Sequence, residues 1–301
     1  MIEATVQLCT YNRAALLERV LEACFDQVLE AERYEVVLVN DGSTDSTAST
    51  IERARANAPC LFTVVHQANG GLAKARNAGI AHANGRRIIF IDDDVLPLPN
   101  FVGEHVRAGM RRPDAIVRGG AIDVEDLDNL PTPVWSIRNY SGNYFWTTNV
   151  SVPLATIRAI GGFDESFSEY GWEDIDVGLR LRARRVPAIF DPMALVYHYK
   201  PPRRTRDIKR MLAQARAQAR TAVRLIALHP HWRAYLATGV NSAQRGFHWL
   251  TRRAGLGERV RSRLSALAPD AVLRGRELRL ARALATEVYF EELERALVAQ
   301  R

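Results

Sequence analysis

The stretch Arg87-Ile88-Ile89-Phe90-Ile91-Asp92-Asp93-Asp94 decides the fold. An apolar run reads as a strand, and it ends in three consecutive carboxylates with no basic residue among them. Like charges this close raise one another's pKa and repel unless a cation joins them. Aspartates that stay ionised here point to a hard divalent ion such as Mn²⁺ or Mg²⁺, which prefers oxygen ligands. An ion held in this way also grips phosphate, so a substrate carrying a phosphate or diphosphate is expected. A solvated acidic turn capping the next helix is the reading without a metal.

Outward from this strand, the first two hundred residues alternate strand and helix patterns. Ala4 to Thr10 reads as a strand, and Arg13 to Ala31 carries Leu17, Val20, Leu21, Cys24, Phe25 and Val28 at helical spacing. Val36 to Val39 is a continuous apolar run, as expected for a strand buried on both faces. A helix capped by Ser43 or Thr44 follows, running to about Asn57. Phe62 to His66 is a third strand, and Leu72 to Ala83 a helix ended by Asn84-Gly85. This rhythm predicts a mainly parallel sheet with helices on both faces. Ligands of such sheets collect beyond the carboxyl ends of the strands. Three strands end there in polar residues: Thr10-Tyr11-Asn12, Asn40-Asp41-Gly42 and Asp92-Asp93-Asp94.

Downstream, a strand is expected over Ala115 to Ile122, then an aromatic loop to Trp146 and a short strand at 149–152. A helix from Trp172 to Ala183 and a strand from Leu195 to His198 complete this part. Pro201-Pro202 marks a boundary, followed by helical patterns broken at His229-Pro230, Gly255-Leu256-Gly257 and Pro269.

The composition is that of a globular protein: 301 residues, 47% hydrophobic and 25% charged. Cys9, Cys24 and Cys60 are odd in number and match no metal-ligand spacing, so they read as reduced thiols. No signal peptide pattern precedes the first strand, and no run reaches the roughly 20 apolar residues that span a bilayer. A cytoplasmic protein is therefore expected. The net charge of +7 is uneven: fifteen basic residues lie between Arg203 and Arg263 against only Asp207 and Glu258, leaving the rest of the chain acidic.

Four stretches together carry a resemblance: VQLCTYNR (6–13), VLVNDGSTD (37–45), NGGLAKARNAGI (69–80) and IDDD (91–94), with GGFDESFSEYGWEDIDVGLRL (161–181) following. The sequence resembles the family 2 glycosyltransferases of the GT-A fold, inverting and metal-dependent, over residues 4 to 200. The resemblance implies a Rossmann-like GT-A domain over 1–200. Its nucleotide-sugar half covers about 1–114 and its acceptor half about 115–200, and a helical basic module follows over 201–301.

The resemblance also implies roles. Asp41 would accept a hydrogen bond from the nucleotide base, although such a carboxylate also serves as a helix cap. Thr10 and Tyr11 would lie against that base, with Arg13 beside them. Lys74 and Arg76 do not share a helix face, so one points inward, and Arg76 and Asn77 are placed near the donor. Asp92, Asp93 and Asp94 complete the donor side. Asp94 ligates the metal with His198 and Asp92, while Asp93 faces the other way if strand geometry persists. Asp174 would be the general base that deprotonates the acceptor hydroxyl, with Trp172, Glu173 and Asn149 toward the acceptor. Glu173 and Asp174 also suit a helix N-terminus simply as dipole partners. Asp176 is expected to be solvated or paired with Arg180.

The implied substrates are a nucleotide diphosphate sugar, with uridine diphosphate first and guanine and thymine open, and a saccharide, lipid-linked or other hydroxyl acceptor. Synthesis of surface polysaccharide, glycolipid or glycoconjugate would suit them. Arg216, Arg220 and Arg224 share one face of a basic amphipathic helix, a pattern that fits an anionic membrane surface or a solvated face on a packed helix. Nucleic acid is not expected, since stacking aromatics are few. The competing functions are a nucleotidyltransferase, for which TYNRAA lacks a phosphate-gripping signature, and a non-catalytic nucleotide-sugar or carbohydrate-binding scaffold.

Overall fold

Alternation along the decisive strand sets the two faces of the sheet. In the computed structural model, Ile88 and Phe90 join one buried cluster with Ala73, Ile80, Val150, Val152 and Val177, whereas Ile89 and Ile91 join another with Leu8, Leu17, Leu21, Val36 and Leu38. Successive side chains of a strand point to opposite faces, so a run apolar at every position must be covered on both. The structure describes residues 1–241 and 255–299, together with Gln244, Gly246 and His248.

Among these residues, eight strands form one sheet in the order β3-β2-β1-β4-β7-β6-β8-β5. They are β1 (Ala4–Thr10), β2 (Tyr34–Asp41), β3 (Leu61–Gln67), β4 (Arg87–Phe90), β5 (Val95–Pro97), β6 (Ile116–Val124), β7 (Val150–Pro153) and β8 (Ala188–Tyr199). β1 to β4 pair in parallel. β7 runs against both β4 and β6, and β8 is parallel to β6. Two reversals restore the original sense, so β6 and β8 end at the same edge as β1, β2 and β4. The mixed, mainly parallel α/β sheet expected from the sequence is therefore present, and His198 arrives at the edge where Asp92 begins.

The helices around the sheet are α1 (Ala14–Phe25), α2 (Thr47–Ala56), α3 (Leu72–His82), α4 (Phe101–Arg111), α5 (Leu154–Ala159) and α6 (Glu173–Ala183). α1 stops six residues before the expected Ala31. Gln27 turns back to donate to the Ala23 carbonyl at 2.8 Å and to the Leu98 carbonyl at 3.0 Å, and Val28, expected in the core, is 77% exposed. α2 starts later than a cap at Ser43 or Thr44 would place it: Ser46 occupies the cap position without a side-chain bond, and Asp45 Oδ1 accepts from the Thr47 amide at 3.0 Å. β5 and α4 were not legible as elements. The three cysteines are free thiols.

The chain divides into two units: 1–168 with 173–201, and 169–172 with 202–301. The second unit contains α7 (Ile208–Leu228), α8 (Trp232–Thr238), α9 (Leu256–Ser265) and α10 (Gly275–Ala299). Its core joins Ala215, Ala219 and Val223 of α7 to Leu284, Val288 and Leu293 of α10. The apolar side of α7 is thus consumed inside the unit, and a free amphipathic face is not what this helix offers. Arg220 is bound to Glu169 and Glu292, and Arg204 to Asp270. Arg245, Arg252 and Arg253, part of the basic run, lie outside the described residues. No described helix is long and apolar enough to cross a membrane.

Candidate active site

The edge of the first unit's sheet gathers the polar strand ends. After β4 the chain turns rather than extends, with the Val95 amide donating to the Asp92 carbonyl at 3.2 Å. Strand alternation therefore ends before the carboxylates. Asp93 does not face away: Thr10 Oγ1 donates to its Oδ2 at 2.9 Å, and Arg13 lies 3.9 Å from its Oδ1. Burial raises the Asp93 carboxyl to about 6, against the lowering influence of Arg13 and Thr10. Arg13 also reaches within 3.7 Å of Asp94 Oδ2. Burial acts to raise Asp94 as well, but His198, Arg13 and the backbone outweigh it and hold this carboxyl below its ordinary value.

His198 Nε2 is 3.5 Å from Asp94 Oδ1, and its Nδ1 is buried without a hydrogen bond, 3.7 Å from Asp123 Oδ1. One carboxylate oxygen and one imidazole nitrogen thus face each other, donors of a kind that would suit a divalent ion. Asp92 does not join them. Its Oδ1 accepts from Arg76 at 3.1 Å and its Oδ2 from Thr148 Oγ1 at 2.8 Å. No group of three acidic, histidine or cysteine side chains is gathered for a metal among the described residues. Of the three expected ligands, Asp94 and His198 are brought together, while Asp92 is engaged by Arg76 and Thr148.

Arg76 organises the interior of the site. It is 3% exposed, donates to Glu173 Oε1 at 2.8 Å and to Thr147 Oγ1 at 2.7 Å besides Asp92, and lies over the Phe163 ring. One fixed fork satisfies two acids from β4 and α6, which a buried guanidinium does well and an ammonium does not. Glu173 opens α6 and is followed by Asp174, whose carboxyl is pushed up to about 7 by burial first and by the charge of Glu173 second, with Arg76 opposing. A carboxyl tuned toward neutrality suits proton transfer near pH 7. Asp176 is buried and paired with Arg180 at 2.6 Å.

Asp41 is 6% exposed. Its Oδ1 accepts from Gln67 Nε2 at 2.7 Å and the Gly70 amide at 2.8 Å, and its Oδ2 accepts from the Gly71 amide at 3.0 Å. It thereby fixes the glycine turn that starts α3. Two carboxylate oxygens offer about four acceptor positions, so one remains on Oδ2. Gly71 has φ +86°, and an added Cβ would meet the Ser168 carbonyl oxygen at 3.2 Å. Tyr11 is half exposed beside Asn12, which ties its loop to Ser43 and Thr44.

Three expected site residues are spent elsewhere. Asn77 exchanges hydrogen bonds with the Phe163 backbone and donates to Glu165, so it holds the 163–165 loop rather than facing a donor. Asn149 is 1% exposed; it donates to the Gly120 and Ala194 carbonyls and its Oδ1 bonds His105 Nε2, which leaves no amide hydrogen for an acceptor. Trp172 belongs to the second unit, where its Nε1 donates to the Gln218 carbonyl at 2.7 Å. Sequence reasoning missed Thr147 and Thr148. They lie just after the aromatic loop and before β7, and a Thr pair at a strand start was the available signal.

A family model, Glycosyl transferase family 2, matches residues 5–167. A validoxylamine A glucosyltransferase of Streptomyces hygroscopicus subsp. jinggangensis is 29% identical over 221 residues, covering 61% of this chain and 52% of that protein. The chain spans about half the length of this curated relative. Among solved structures, the mannosyltransferase PcManGT from Pyrobaculum calidifontis, in complex with GDP-Man and Mn²⁺, has a TM-score of 0.66 at 19% identity, covering 99% of this chain and 88% of that one. S. aureus TarS 1–349 in complex with UDP-GlcNAc has a TM-score of 0.57 at 17% identity, covering 99% of this chain and 92% of that one. At these identities the likeness is one of fold, and the fold is GT-A. With more than half of its residues matched by the family model, the chain belongs to glycosyl transferase family 2.

Proposed function

We propose that this protein is an inverting, metal-dependent glycosyltransferase that moves a sugar from a nucleotide diphosphate donor, first of all a uridine diphosphate sugar, to a hydroxyl acceptor. The observation that carries the reading is the buried Arg76 fork, which ties Asp92 after β4 to Glu173 at the start of α6, one residue from Asp174. Donor and base elements are thereby braced against each other.

In this reading the remaining acceptor position on Asp41 takes a base N–H, with Thr10, Tyr11 and Arg13 beside the nucleotide. Asp94 and His198 would hold Mn²⁺ or Mg²⁺, which when bound neutralises charge on the diphosphate. Asp174 takes the proton of the acceptor hydroxyl as its oxygen attacks the anomeric carbon opposite the departing diphosphate, and the configuration inverts. Glu173, held by Arg76, keeps this carboxyl facing a negative neighbour and so keeps it basic. The natures of the two neighbours' ligands, GDP-Man and UDP-GlcNAc, support a nucleotide-sugar donor. Surface polysaccharide, glycolipid or glycoconjugate synthesis would consume such an activity. The basic second unit would approach an anionic membrane face by charge alone, at about 1 kcal/mol per basic residue near the surface.

The deciding experiment measures transfer and donor binding together. Asp174→Asn is expected to stop transfer while donor binding in Mn²⁺ persists; transfer at the wild-type rate would remove Asp174 from its role. A protein that binds donor yet neither transfers nor hydrolyses it would be a scaffold instead.

A further inference from the structure

The second unit carries an open hollow of about 450 Å³ that the proposed chemistry does not use. Its size falls in the range of small-molecule sites. α7, α8 and α10 supply most of its wall, joined by Tyr170 and Trp172 of the segment 169–172 and by Arg203, Gly239 and Gln244. Accessible ring surface comes from Tyr170, which is 57% exposed, and half-buried Trp172, over a floor that includes the buried Tyr289 and Phe290, and side-chain amides come from Gln214 and Gln218.

The segment is set in place by a single turn of α7. Trp172 Nε1 donates to the Gln218 carbonyl, Arg220 binds Glu169 at 2.6 Å, and Thr221 Oγ1 donates to the Tyr170 carbonyl at 3.2 Å. Gly171 and Trp172 both hold left-handed backbone, at φ +107° and +73°. For a tryptophan this is a sparsely populated region, costing about 1 kcal/mol or more. Such strain persists where surrounding contacts over-determine it, and it clusters at binding sites.

The lining selects a chemistry. Gln214 and Gln218 each carry a donor and an acceptor, and their side chains have no hydrogen-bond partner among the described residues. Burying an apolar tail against them would leave these groups unpaired, which is costly. Aromatic faces suit the C–H surface of a pyranose ring, and amides suit its hydroxyls. Arg203 is the single basic residue among the described lining residues, against no acid, so a polyphosphate finds little to grip. We propose that this hollow of the second unit is a saccharide-binding site.

The test is saturation-transfer NMR on the full chain without donor. The probes are glucose, galactose, mannose, N-acetylglucosamine, glucuronate, maltose and cellobiose, with uridine diphosphate as competitor. At least one saccharide is expected to bind and to resist displacement by the nucleotide. Ala285→Phe, which fills the hollow, and Gln214→Ala are each expected to weaken binding about tenfold or more. If Ala285→Phe does not fold, as judged by its thermal transition, Gln214→Ala decides. Binding by none of the probes, binding unaltered by the folded variants, or displacement by uridine diphosphate would each overturn the site. Donor hydrolysis with Mn²⁺ is measured on the same preparation. Hydrolysis without saccharide binding removes the site and spares the reaction, whereas saccharide binding without any turnover keeps the site and removes the reaction.

Discussion

Arg76 Nη1 donates to Glu173 Oε1 at 2.8 Å, closing a loop of 97 residues with a contact that is almost wholly buried. The same guanidinium serves Asp92, so removing it strands two acids at once. Arg76→Ala is expected to destabilise the first unit by about 3–5 kcal/mol, read from denaturant unfolding. Arg76→Lys keeps the charge but cannot reproduce the fork, and its transfer rate is expected to fall even where it folds.

The raised Asp174 carboxyl sets a pH dependence of rate. The base form fills as pH rises through about 7, so transfer is expected to increase across that interval and then level. Asp174→Asn lowers transfer about 10²–10⁴-fold and flattens this limb of the profile. A rate–pH series at saturating donor checks both.

Stability follows the opposite sign. The folded carboxyl holds its proton to about 7, against an ordinary value of 3.8, so between these values the folded state binds more protons than the unfolded one. Stability from this group is complete below the lower value and is lost as pH rises through the upper. The neutral Asp174→Asn variant is therefore expected to gain melting temperature relative to wild type at pH 8, with an advantage that shrinks at pH 5 and disappears below 3.8.

Asn149 separates support from recognition. With both amide hydrogens given to sheet carbonyls, Asn149→Ala leaves buried acceptors unpaired and is expected to cost about 1–3 kcal/mol. Acceptor KM, measured on the folded fraction, is expected to stay at its wild-type value. A selective rise in KM would return Asn149 to the acceptor side.

His198 bears on the cation. Chelation is expected to stop transfer, with Mn²⁺ or Mg²⁺ restoring it. His198→Ala is expected to raise the metal concentration needed for half-maximal rate roughly 10–100-fold, the range typical of losing a group that supports a metal site. Metal titration of wild type and variant checks this.

Strand positions were legible because period-two burial leaves a direct trace: β1 has the bounds its apolar pattern implied, Ala4 to Thr10. Asp92 and Asp94 stood out in sequence because acids grouped at the end of a buried strand have no base beside them, whereas Asp174 at a helix start is favoured by the dipole alone and was singled out only by the resemblance. Amides were not. Asn77 and Asn149 look like ligand groups in sequence, yet their roles depend on carbonyls brought from residues 163, 120 and 194 by the fold. Thr147 and Thr148 were missed because the Thr pair at a strand start does not say which partner the fold brings to each hydroxyl, Arg76 to Thr147 and Asp92 to Thr148. α4 was hidden by Gly103, His105 and Gly109, which dilute its apolar stripe although His105 is itself buried.

Because residues 169–172 group with 202–301 rather than with their chain neighbours, the helical portion is discontinuous in sequence. A truncation after Pro201 would not excise it cleanly: Glu169 would lose Arg220, and the Trp172 indole would lose the carbonyl it binds. Exchanging the carboxyl-terminal helices for those of a relative therefore requires grafting this tetrapeptide with them, and a chimera joined only at the proline pair would leave four orphaned residues immediately ahead of the Glu173-Asp174 acids.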